Sequence, residues 1–127
     1  MASHLLGSSV QINDCVVRAE RQYFINTART VTVVVSNYSA CKVNFMVLRT
    51  NASSTFRYWN GYLNNNNNTG YDSPIETALG TTNTLSLTFY NDNNGTYRFV
   101  MNSSGSGAWW GIYLWTLNGS TPSVSSS

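Results

Sequence analysis

Hydrophobic and polar residues alternate with a period of two along most of this chain, the signature of β-strands with one buried face. Val31, Val33 and Val35 share one face of a run from Thr30 to Ser36, and Cys41, Val43, Phe45 and Val47 do the same opposite Lys42 and Asn44. Leu85, Leu87 and Phe89 alternate with Ser86 and Thr88, and Tyr97, Phe99 and Met101 with Arg98 and Val100. A last strand puts Trp110, Ile112 and Leu114 on one face and Trp109, Tyr113 and Trp115 on the other. Shorter runs at Val10-Gln11-Ile12, around Val16-Val17 and at Gln22-Tyr23-Phe24-Ile25 add one or two strands, and Phe56-Arg57-Tyr58-Trp59 adds another. Helical periodicity is absent, and β-branched and aromatic residues fill the runs. The pattern predicts an all-β fold, an antiparallel β-sandwich or jelly roll of about 7–8 strands.

Turn residues divide the chain further. Asp92-Asn93-Asn94-Gly95 separates two alternating runs, and Asn-Gly accepts the positive φ of a tight hairpin, so 85–90 and 96–101 are expected to pair antiparallel. Ser103-Ser104-Gly105-Ser106-Gly107 is expected to link this hairpin to the last strand. Residues 60–84, with five consecutive Asn at 64–68, are expected to form one long loop, either functional or a tolerated insertion. The sandwich domain is then assigned to 10–118, between a flexible segment 1–9 and a Ser-rich tail 119–127.

Composition narrows the classes of function. Charged residues are only 9% of the 127, whereas Asn, Ser and Thr number 48, so polarity resides in amides and hydroxyls. The seven cations are scattered against five acids, for a net charge of +2, a weak footprint for phosphate neutralisation, and no nucleic-acid partner is expected. No apolar run approaches a membrane span, and Met1–Leu6 is too short for a signal peptide's apolar region. Cys15 and Cys41 are a candidate disulfide, with two buried free thiols as the alternative.

Catalytic chemistry lacks its residue types. His4 is the only histidine and sits in the polar N-terminal segment, and five dispersed acids offer no rigid carboxylate pair. Asp72 and Glu76 fall together in the 60–84 segment, where solvent exposure is their ordinary explanation. Asn91-Asp92-Asn93-Asn94-Gly95 lacks the alternating oxygen ligands and closing Glu of an EF-hand. No enzyme activity, cofactor or metal is expected.

What the chain does carry is aromatic. Tyr58, Trp59 and Tyr62 precede the Asn run, and the last strand bears rings on both faces, one of which must serve the core. The other either packs beneath a loop or stays exposed, where rings cover the apolar face of a sugar and amides bond its hydroxyls. The candidate ligand-binding residues are Tyr58, Trp59, Tyr62, Asn65, Asn66 and Trp109. Sequons occur at Asn37, Asn51, Asn67, Asn94, Asn102 and Asn118, mostly at strand ends or in loops, a number that abundant Asn, Ser and Thr also produce by chance.

The succession Gln22-Tyr23-Phe24-Ile25, Arg29-Thr30-Val31-Thr32-Val33, Val43-Asn44-Phe45-Met46-Val47-Leu48 and Gly95-Thr96-Tyr97-Arg98-Phe99-Val100 with Ile112-Tyr113-Leu114 resembles secreted β-sandwich accessory domains of the pre-peptidase C-terminal and GOLD types. The resemblance covers roughly residues 20–117 and implies a non-catalytic module that binds or assembles; the acidic pair of the calcium-binding members is missing. Two functions follow: a surface-exposed module binding glycans or cell-surface ligands, or a self-assembling subunit, homo-oligomeric, of a virion, extracellular filament or surface layer. Either is expected outside the cell, on its surface or on a virion.

Overall fold

The computed structural model describes the backbone of residues 9–12, 15–50, 55–82 and 84–127 and is all-β. Nine strands are present among these residues: β1 (Ser9–Ile12), β2 (Cys15–Val34), β3 (Ser39–Arg49), β4 (Phe56–Asn66), β5 (Thr69–Ala78), β6 (Gly80–Thr82), β7 (Leu85–Asn91), β8 (Thr96–Asn118) and β9 (Ser123–Ser126). All of their pairings are antiparallel.

Two of the strands are about four times the common strand length of ~5–6 residues, and they organise everything else. β2 and β8 pair from Val16↔Thr116 to Val34↔Thr96, with one register shift between Ile25 and Thr27. At that shift Asn26 takes a φ of 50° and Gly105 a φ of 82°, and the Asn26 side-chain oxygen accepts the Gly105 N–H at 2.8 Å. A bulge of this kind bends a strand and exchanges its faces. Before it β8 buries Tyr97, Phe99, Met101 and Ser103; after it the buried set is Ser106, Ala108, Trp110, Ile112 and Leu114. The segment expected to link two strands is therefore a corner within one strand.

The corner folds one sheet into two layers. The first half of β2 and the second half of β8 lie in the order β1-β2-β8-β3-β4-β5, whereas their other halves pair with β9 and with β7, which in turn pairs with β6. The layers meet face to face: Phe45 of β3 stacks on Phe99 of β8 at 4.3 Å, and Trp59 of β4 meets Phe89 of β7 at 4.6 Å. The buried faces are those set out by alternation, with Val31, Val33, Cys41, Val43, Phe45, Val47, Leu85, Leu87 and Leu114 all fully enclosed. The 92–95 turn also pairs its flanks as expected, with Leu87↔Met101 and Tyr90↔Arg98 in register.

The structure departs from the sequence pattern at two more places. Residues 60–84 are not one long loop: β4 and β5 form a hairpin from Tyr58↔Ala78 to Asn66↔Thr69, and Asn67 and Asn68 turn it with φ of 52° and 61°. Two successive positive φ values are what a two-residue hairpin turn with the right twist requires, and Asn tolerates them. Nor is 119–127 a tail, since β9 extends the second layer through Val31↔Ser126 to Val34↔Ser123 and buries Val124. The segment 1–8 lies outside the described residues, and β1 begins at Ser9.

Candidate functional site

The outer face of the first layer is built from the side chains that the core rejects. Because paired residues share a face, the registers of β2, β8, β3 and β4 align four rows across the sheet. Tyr23, Trp109, Leu48 and Phe56 form the first; Arg21, Gly111, Met46 and Tyr58 the second. Ala19, Tyr113, Asn44 and Asn60 make the third, and Val17, Trp115, Lys42 and Tyr62 the fourth. Trp109, Tyr113 and Trp115 are 42%, 43% and 41% exposed, and Tyr23, Met46 and Tyr62 are exposed to a similar degree. These rings have no covering loop among the described residues.

Gly111 shapes this surface. A glycine inside a strand leaves the pleat without a side chain and lets a ligand approach the backbone. It lies between Trp109 and Tyr113, and two adjoining open depressions of about 330 and 380 Å³ share Gly111 and Met46 among their walls. Trp109 and Arg21 border the first depression, and Tyr113, Asn44 and Asn60 the second. The result is a shallow trough with rings standing on its rim and amides in its wall.

The rim is held by local contacts. Tyr23 meets Trp109 edge to face at 5.5 Å, and the Arg21 guanidinium lies 5.3 Å from the centre of the Trp109 ring. The Lys42 ammonium donates to Asn44 Oδ1 at 3.0 Å and lies 5.7 Å from the Tyr62 ring. Tyr58 donates its hydroxyl to Glu76 Oε1 at 2.6 Å, and this bond, made by the neutral phenol, raises the Tyr58 pKa.

The six candidate residues separate by face. Tyr58, Tyr62 and Trp109 stand on the outer surface, with Asn66 exposed at the hairpin end of β4. Trp59 and Asn65 do not belong to a binding surface: Trp59 is 1% exposed between Phe89 and Phe99, and buried Asn65 donates to the Val35 carbonyl at 3.0 Å. Their placement follows from parity with Leu63, and Gly61 between them has no room for a Cβ, which would sit 2.5 Å from the Ser73 carbonyl oxygen. Tyr23, Arg21, Met46, Asn44, Gly111 and Tyr113 complete the face and were not among the candidates. The signal for Tyr113 and Gly111 was available, as one glycine amid alternating rings; that for Tyr23 and Met46 lies in cross-strand register.

Cys41 is free and buried, its thiol pushed up to about 12 by burial. Thr116 of β8 pairs with Cys41 on one side and with Val16, next to Cys15, on the other. Two strand spacings, roughly 9–10 Å, exceed the ~7 Å limit for bridging two Cα atoms, so the backbone does not bring this pair within disulfide reach. Asn37, Asn67, Asn94, Asn102 and Asn118 are exposed, while Asn51 and His4 lie outside the described residues. Each described acid already has a polar partner: Glu20 with Arg18, Asp92 with Arg98, Glu76 with Tyr58 and Asp72 with Asn91. Among the described residues no three His, Cys, Asp or Glu side chains gather, and no helix is long and apolar enough to cross a membrane.

No protein-family model matches the chain, and no curated protein does. Among solved structures the chain is similar to the tailspike protein gp49 of Acinetobacter baumannii bacteriophage Fri1, a capsular polysaccharide depolymerase, with a TM-score of 0.61 and 12% identity. The match covers 93% of this chain and 21% of the tailspike, so the chain spans about a fifth of that protein's length. At this identity the likeness is one of fold.

Proposed function

We propose that the domain is a non-enzymatic glycan-binding module displayed on the outside of a virion or cell, and that it takes an extended carbohydrate along the outer face of β2, β8, β3 and β4. The observation that carries this reading is the uncovered line of Trp109, Tyr113 and Trp115 beside the Gly111 trough. Rings of this kind stack on the apolar faces of sugars, and Asn44 and Asn60, each able to donate and accept, suit the hydroxyls between them. The tailspike likeness supports a setting in which such a module would meet polysaccharide.

The reading is tested on a glycan array with the wild-type chain, Trp109→Ala and Tyr113→Ala. Both sites are on the surface, so each variant is expected to retain its fold and lose tenfold or more in affinity. Absence of hits across a broad array, or equal binding by both variants, overturns it.

A second reading, a self-assembling subunit, is favoured by one feature. β5 is the outer strand of the first layer and exposes Tyr71 and Ile75, the latter at 64%. An uncovered edge strand is a template for pairing with another copy, and here Tyr71 and Ile75 add apolar contact beside Asp72, Pro74 and Glu76. Concentration-dependent association in light scattering, abolished by Ile75→Lys, is its expected behaviour; a monomer at all concentrations overturns it.

A further inference from the structure

We infer that the glycan taken by this face is acidic, and that Arg21 on Trp109 is the station that reads its carboxylate. The inference rests on the glycan-binding reading of the same face and goes on to the chemical class of the ligand.

The first ground is the sign of the charge beside the trough. Of the side chains in the four rows, only Arg21 and Lys42 are charged, and both are cations. The two ion pairs among the described residues, Arg18 with Glu20 and Arg98 with Asp92, involve neither of them. Two acids lie close by, Glu20, which lines the second depression and pairs with Arg18 at 3.6 Å, and Glu76, across from Asn60 on β5, which keeps its charge while accepting the Tyr58 hydroxyl; neither lines the first depression, where Arg21 stands. A neutral sugar would leave both cations without a counter-charge, whereas a uronate supplies one.

The second ground is geometry. Each cation is coupled to a ring, Arg21 to Trp109 and Lys42 to Tyr62, so each pairs a stacking surface with a charge that can reach over the edge of a stacked sugar. Arg21 is exposed and lines the first depression. Its planar guanidinium offers two parallel N–H donors, the fork that matches a carboxylate. Arg21 and Lys42 are two strands and four residues apart, roughly 16 Å from strand spacing and rise. That distance spans several sugar rings, so one chain with repeated carboxylates can engage both stations.

The experiment titrates the full chain, by intrinsic tryptophan fluorescence and calorimetry, with polygalacturonate and alginate, their carboxyl-reduced counterparts, dextran, and polyglutamate as an acidic polymer without sugar. The expected result is binding of at least one uronate polymer, tenfold or greater weakening on carboxyl reduction, and no comparable binding of polyglutamate. Arg21→Gln is expected to remove the preference, so that the acidic and carboxyl-reduced polymers bind the variant alike. Tyr113→Ala should weaken both forms together. If reduced and acidic polymers bind alike, the acidic assignment fails and the glycan reading stands. Should polyglutamate bind as well as the uronates, the face reads charge alone and both fail; binding to none of the polymers likewise overturns the acidic assignment.

Discussion

Adjacent rings on β4 have opposite fates. Tyr58 and Trp59 are neighbours in sequence, yet one hydroxyl reaches Glu76 on the outer surface while the other ring fills the space between the layers. Trp59→Ala is therefore expected to cost about 3–5 kcal/mol of stability, measured by denaturant unfolding, whereas Trp109→Ala should leave the midpoint nearly unchanged. Burial also sets the response to alkali. Cys41 and Tyr97 are both pushed up to about 12, from ordinary values of 9.0 and 10.0, chiefly by desolvation, and the Tyr97 hydroxyl also lies 3.0 Å from the Tyr71 carbonyl. Their folded forms hold protons that the unfolded chain releases earlier, so the stability they contribute is full below about pH 9 and is lost as pH rises towards 12. Chemical denaturation at pH 7, 9 and 10.5 should show a constant midpoint and then a fall. The sequence offered both rings for the ligand site, because the parity that sets Trp59 with Leu63 shows only once 60–66 is known to be strand; the raised Cys41 pKa was not legible either, because it depends on strands far away in sequence.

Among the elements, the hairpin of β4 and β5 shows where reading a sequence by polarity fails. Alternation continues through Tyr62, Leu63, Asn64, Asn65 and Asn66, but when both faces carry the same amide the period is invisible. Asn65 takes a core position because the Val35 carbonyl needs a donor there, and an amide side chain supplies it. β9 is hidden similarly, as a single inward Val124 among serines. By contrast, Val31–Val35, Cys41–Val47 and Tyr97–Met101 could be assigned outright, since each sets one wholly apolar face against a face that includes polar side chains. The Asn67-Asn68 turn offers a direct check. Asn68→Val forces a β-branched residue into the left-handed region, at a cost of roughly 1–2 kcal/mol, and the melting temperature should fall accordingly. Asn68→Gly should hold it or raise it slightly, since Asn-Gly suits this turn.

For the whole molecule, the decisive feature is that neither layer owns a complete set of strands. β2 and β8 run through both, and the Asn26–Gly105 corner is the crossing. The layers should then lose structure together: far-ultraviolet dichroism, which follows strands, and Trp fluorescence, which follows packing around Trp59 and Trp110, are expected to give coincident unfolding curves. Two separated transitions would show that one layer survives alone. Sequence could set out the two-layer class but not this sharing, because a bulge leaves only a change of parity, from odd positions up to Ser103 to even ones after Ser106, within a stretch that looks like a flexible linker.

The long β2–β8 ladder also fixes the order of events at the ribosome. Residues 16–34 find their partners at 96–116, so the hairpins of β3 with β4, β4 with β5 and β6 with β7 can close while β2 still waits. Contacts of such sequence separation slow folding towards the range of milliseconds to seconds. Trp109, Tyr113 and Trp115 all lie on the half of β8 that follows the corner, so their outer row is assembled only when β8 has entered between β2 and β3.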